Sequence, residues 1–120
     1  MALVEINKSD NLIADANQAV NIQLADVLSG EGKLSRGTIL CYKSAIGDKH
    51  QAYKSALESH ARYILAEDID ATSSDVTAKV IASGNINEAA TAVKAGSTLS
   101  EVGRDALRNA GIFLVNGIAE

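Results

Sequence analysis

Proline and tryptophan are both missing from this chain of 120 residues, and it has one cysteine, one phenylalanine and only 3% aromatic residues. Each shortage removes a class of protein. Without proline there is no proline-rich linker, and the lone Cys41 rules out an intrachain disulfide and suits a chain folded in a reducing cytoplasm. Aromatic side chains dominate core burial in most domains. With Tyr42, Tyr53, Tyr63 and Phe113 alone, the core is built from Ala, Val, Ile and Leu, and self-association is expected as a second source of stability. The formal net charge is −4 and there is no run of Lys or Arg, so no basic patch is available to neutralise phosphates and direct nucleic-acid binding is not expected. Nowhere do the ~18 consecutive apolar residues of a spanning helix occur. In the opening "MALVEINKSD", Glu5 interrupts the apolar letters too early for a signal h-region, so neither membrane association nor export is expected.

What is present fits one domain. Residues 1–17 hold short apolar pairs around "NKSDN" with no sustained period, and read as an extended N-terminal arm preceding a single domain over 18–120. Val20, Ile22 and Leu24 alternate with polar or small residues as in a half-buried strand. "SGEGK" supplies turn glycines, and the segment from Gly37 to Ala45 reads as a second strand. Ala52, Tyr53, Ala56, Leu57, His60 and Ala61 recur at helical spacing, which by itself predicts a helix. Two further strands are expected, over 62–66 and, by alternation of Val76, Ala78, Val80 and Ala82, over 76–82. The connection "EDIDATSSD" between them is rich in residues that bond their own backbone in turns. Asn87 is placed to cap a helix "EAATAVKA". Thr98 with Glu101 forms a capping box for a second helix to about Asn109, with Leu99, Gly103, Ala106 and Ala110 at the centre of one face and Val102 and Leu107 at its margins. Gly111 ends that helix, and Ile112 to Val115 form a short apolar strand.

Two groupings invite chemistry. Glu67, Asp68, Asp70 and Asp75 crowd one connection, and a hard cation wants several converging carboxylate oxygens. Yet Asp70 is followed by Ala71 and Thr72, with no glycine for the sharp turn of a calcium loop. Cys41, His50 and His60 are adequate zinc ligands in kind, but their spacing matches no compact zinc module. Their ordinary roles are a small buried strand residue for Cys41 and exposed surface for both histidines. No nucleophile elbow or phosphate-cradling loop is present. A small cytosolic oligomeric enzyme or metal-binding subunit using Glu67/Asp68/Asp70 or Cys41/His50/His60 stands as the alternative to a non-catalytic protein.

The order of the pieces is more informative. Gly37-Thr38-Ile39-Leu40, then Tyr63-Ile64-Leu65-Ala66-Glu67-Asp68-Ile69-Asp70-Ala71-Thr72, then Gly84-Asn85-Ile86-Asn87-Glu88-Ala89, and Gly111-Ile112 closely resemble the lambda-type head decoration (capsid cement) proteins of tailed bacteriophages. The resemblance covers residues 30–115. It implies a mainly β fold with short helices (α+β), a compact β-clip-like domain with an extended N-terminal arm, and no catalytic centre or cofactor. It further implies a homotrimer on the outer surface of the virion, bound to the phage major capsid protein at threefold positions and stabilising the head against internal DNA pressure. The chain would be made in the bacterial host cytoplasm. The family reading replaces the helix at 52–61 by a strand and loop. Leu3, Val4, Ile6, Leu12 and Ile13 are the expected capsid-binding anchors, because relatives touch the shell through the arm. Tyr63 departs from the family pattern, which has glycine there.

Overall fold

The computed structural model describes residues 12–13, 20–43, 49–94 and 97–115. Eight strands and one α-helix appear among them. The first half of the chain holds β1 (Asn21–Val27), β2 (Gly32–Leu34), β3 (Ile39–Lys43), β4 (Lys49–Ala52) and a 3-10 helix at Ser55–His60. The second half holds β5 (Ala61–Leu65), β6 (Ile69–Ala71), β7 (Val76–Asn87), a 3-10 turn at Glu88–Ala90, α1 (Glu101–Ala110) and β8 (Ile112–Val115). The expected mainly β class is what the described residues show.

Five strands close on themselves. β1 pairs with β4 in parallel, β4 with β3, β3 with β5, β5 with β7 and β7 back to β1, all antiparallel after the first. The ring closes through a short contact, since β1 meets β4 only at Asp26 and Val27, and closure of this kind reduces the exposed strand edges. Strand β7 is 12 residues long because it serves two layers. Its first part runs against β1 from Val27↔Val76 to Asn21↔Ser83, and its last part, Gly84 to Asn87, runs parallel to β8. Gly84 marks the change of partner: its φ is +139°, and a Cβ there would come within 2.7 Å of Val20 Cγ1. Only glycine adopts that conformation without cost. β2 and β6 form a separate two-stranded ribbon.

Alternation along the strands sorts their side chains into two cores. Ala25, Val27, Leu40, Leu65, Ala78 and Val80 fill the barrel. Their neighbours Ile39, Cys41, Ile64 and Ile81 point outward and are covered by Leu107 of α1, Ile112, Tyr53, Ile86 and Leu12. The domain therefore draws its packing from as far back as Leu12, which is 1% exposed. Its carbonyl accepts the Asn87 N–H at 2.7 Å, and Ile13 bridges Ile86.

Several local expectations are corrected. The helical spacing over 52–61 does not produce an α-helix. Tyr53 is tied on both sides, its N–H to the Ile39 carbonyl at 2.7 Å and its carbonyl to the Lys94 N–H at 2.9 Å, so the chain is held extended there and only the 3-10 helix follows, kinked at Leu57. "EAATAVKA" is helical for three residues. Asn87 does cap it, accepting from the Ala89 N–H, but Ala92 then joins Thr38 in a parallel bridge, with Ile39 N–H bonded to the Ala92 carbonyl at 2.9 Å. Inter-strand bonding wins over local helix propensity. The cap of α1 is Ser100 rather than Thr98, its hydroxyl accepting from the Gly103 N–H. The buried face of the helix is Gly103 and Leu107, while Ala110 is exposed. In "SGEGK" both glycines do take positive φ, as turn glycines should, and Gly32 is also the first residue of β2.

Candidate functional site

The acidic connection is where a cation site was conceivable, and its carboxylates are spent on the fold instead. Glu67 Oε2 accepts the Lys79 N–H of β7 at 2.9 Å. Asp68 Oδ1 accepts the Arg36 N–H at 2.7 Å, and the Arg36 guanidinium in turn donates to the Ala66 carbonyl at 2.8 Å. Asp70 Oδ1 folds back on the hydroxyl and N–H of Thr72, an Asx-type turn; these bonds, the hydroxyl first, hold its pKa below the usual carboxylate value. Asp75 spans two elements, with Oδ2 on Lys49 Nζ at 2.6 Å and Oδ1 on the Ser29 N–H at 2.8 Å. Lys49 is the main cause of its lowered pKa, followed by Ser29, and Lys49 is itself raised by Asp75. Three of the groups thus latch other segments, and Asp70 shapes its own turn. Among the described residues, no three His, Cys, Asp or Glu side chains converge as metal ligands would.

The second candidate set is also dispersed. Register pairs Cys41 with Gln51 and Tyr42 with His50, so Cys41 and His50 lie on opposite faces of the β3–β4 ribbon. Cys41 is fully buried in the outer core, and burial pushes its thiol up to about 12, which removes the thiolate that reactivity or metal binding requires. His60 is exposed beside Ser59. His50 corrects an expectation: it is 3% exposed rather than on the surface. Its Nδ1 lies 3.0 Å from the Asp26 carbonyl, and its ring is packed between Tyr42 and Tyr63, at centroid distances of 5.8 and 5.2 Å.

Of the expected capsid anchors, Leu3, Val4 and Ile6 lie outside the described residues. Leu12 and Ile13 pack on their own domain, as given above.

Two arrangements escaped sequence reasoning. Tyr53, fully buried, donates its hydroxyl to the Thr98 carbonyl at 3.2 Å and accepts from the Ser100 N–H at 3.3 Å, while the Ser100 hydroxyl reaches Glu58 Oε1. This network fastens the start of α1 to the 3-10 helix. The other is Arg62, whose guanidinium lies over Tyr42 at 5.0 Å and Tyr63 at 5.1 Å from the ring centroids. No spacing along the chain announces either group, since register alone brings the partners together.

The chain matches no family model, and a search of curated proteins finds no match. What the described residues define is a small, mainly β domain: a closed five-strand barrel with one helix on its outer face.

Proposed function

We propose that the chain is a capsid decoration protein of the lambda type, with a β-clip-like domain and an N-terminal arm. It binds the outside of a phage head at threefold positions as a homotrimer and stabilises the shell formed by the major capsid protein. In this reading it is a virion component with no catalytic role. The observation that carries the proposal is where the four resembling blocks fall in the fold. Gly37–Leu40 leads into β3, and residues 63–72 run from β5 through the acidic latches to β6. Gly84–Ala89 begins where β7 changes partner and ends in the capped 3-10 turn. Gly111–Ile112 closes α1 in a left-handed conformation and starts β8. A shared set of joints is what a shared fold would require, whereas scattered surface matches would carry nothing.

The latched carboxylates support the same reading. Groups bonded to backbone N–H donors of separate segments stiffen a structural protein and are poorly placed to converge on a substrate. The test is binding to expanded heads assembled from a cognate major capsid protein, whose gene this reading expects to adjoin this one. Saturable co-sedimentation, with density over the threefold positions by electron cryo-microscopy, is the expected result. Protein left entirely in the supernatant at saturating concentration overturns the proposal.

A further inference from the structure

The register of β5 against β3 contains an extra residue. Ile39 faces Ile64 and Leu40 faces Tyr63, but Cys41 faces Ala61, which makes Arg62 the bulged position. In a regular strand Arg62 and Tyr63 would point to opposite faces. Here both line the same two adjoining pockets. One, of about 370 Å³, is bordered by Leu24, Asp26, His50 and Thr77 as well; the other, of about 320 Å³, includes Gln23 and Ser83. Bulges re-aim side chains in this way next to binding sites.

Arg62 is half-buried and lies on two tyrosine rings, which orient its planar fork of donors in advance. The ion pairs formed among the described residues go to Lys49, Arg104 and Arg108, and the guanidinium of Arg62 meets no carboxylate there. The one acid bordering the pocket, Asp26, is turned to the Thr77 hydroxyl at 2.7 Å and lends its charge to Lys49. On the rim of the first pocket, Leu24 is 68% exposed.

We propose that the bulge at Arg62 builds a carboxylate-binding site, in which the Arg62 fork, carried on Tyr42 and Tyr63, takes an acidic side chain of a partner polypeptide. A carboxylate matches the fork with two parallel N–H···O bonds. The exposed Leu24 on the rim points to a peptide, because a free metabolic acid has no apolar neighbour to place there. Arg and Tyr are also among the residue types enriched at the hot spots of protein interfaces. The site is independent of the decoration reading.

The test uses the full chain and two capped peptides, acetyl-Ala-Leu-Glu-Leu-Ala-amide and its Gln counterpart, with glutarate as the free acid. Heteronuclear NMR follows the Arg62 Nε–H and the Tyr63 ring. The Glu peptide should give saturable shifts at both, and the Gln peptide should bind at least about tenfold more weakly, as expected on losing a hydrogen bond to a charged group. Arg62→Gln should abolish the binding and Arg62→Lys should weaken it severalfold, since an ammonium lacks the fork; unchanged melting curves would show both variants folded. Equal binding of the Glu and Gln peptides, no saturable shift with either, or full binding retained by Arg62→Lys overturns the proposal. Glutarate binding more tightly than the Glu peptide also overturns it, by assigning the site to a free acid.

Discussion

At the scale of single residues, the chain uses charge as fastening and glycine as clearance. Gly103 is the sharpest case of clearance. A Cβ there would sit 2.7 Å from the Tyr53 hydroxyl and 2.8 Å from its Cε2, so α1 approaches the buried tyrosine more closely than any other residue would permit. Alanine improves helix propensity by about 1 kcal/mol over glycine, whereas overpacking a tight contact costs about 1–3 kcal/mol. Gly103→Ala is therefore expected to lower the urea midpoint despite its better propensity; a raised midpoint would mean that the helix is free to move off Tyr53. For charge, the Lys49–Asp75 pair sets a pH dependence whose sign follows from its two shifts. The pKa of Asp75 is lowered in the folded state, so its contribution is present above the ordinary carboxylate value and lost as pH falls through the folded value. Lys49 is raised, so its contribution is present below the ordinary lysine value and lost as pH rises through the folded value. Asp75→Asn keeps an acceptor for the Ser29 N–H but not the charge. Thermal melts across a pH series should show a shallower acid decline for this variant than for the original chain, with the difference shrinking in high salt. Parallel curves would mean that the pair contributes nothing.

At the scale of elements, the joint between the first residues and the barrel decides what the arm is. Leu12 is 1% exposed within the outer core, and truncating a buried leucine to alanine costs about 2–5 kcal/mol. Leu12→Ala should therefore lower stability measurably by urea denaturation. A deletion of residues 2–17 should be worse than one of residues 2–9, which spares Leu12. If both deletions melted like the intact chain, the contact of Leu12 with Asn87 would be incidental. The sequence expectation that residues 18–120 form the domain missed this joint, because two apolar letters among "NKSDN" and "ADAN" carry no period to mark them as core. Alternation made β1 and the start of β7 legible, and Gly111 with a polar cap made α1 legible. Two elements were hidden for the same physical reason. The apolar spacing over 52–61 and the alanines of "EAATAVKA" favour helix locally, yet Tyr53 and Ala92 bond to β3 or its flank, and those partners are distant in sequence. Composition marked the acidic connection as a turn, but Ile69–Ala71 within it form β6, which pairs with β2 and which no alternation announced. That Glu67, Asp68 and Asp75 reach separate segments was hidden too, because those segments are named only by the fold. The bulge at Arg62 was equally hidden, since one extra residue is defined only against a partner strand.

At the scale of the whole molecule, a barrel closed on itself leaves few routes to assembly. The pairings β1–β4–β3–β5–β7–β1 use up strand edges except along residues 21–25 of β1, which β4 does not reach, so association of this domain has to proceed through side chains, through that short edge or through segments that lie beyond the barrel. The proposed attachment to a capsid separates these routes experimentally. Residues 2–9 include Leu3, Val4 and Ile6, and strand addition to a neighbour's sheet would use their main-chain bonds for affinity and their alternate side chains for specificity. Deleting residues 2–9 retains Leu12, so the variant should keep the far-UV spectrum and cooperative melt of the full chain. It should nevertheless fail to co-sediment with expanded heads that bind the full-length protein. Trimer formation is read in the same experiment, by light scattering of the free protein and by occupancy of threefold positions on the head. If the deletion variant binds the heads as well as the intact chain does, attachment belongs to the folded domain, and the exposed side chains of Ile22, Leu24, Val102 and Phe113 become the surfaces to substitute next.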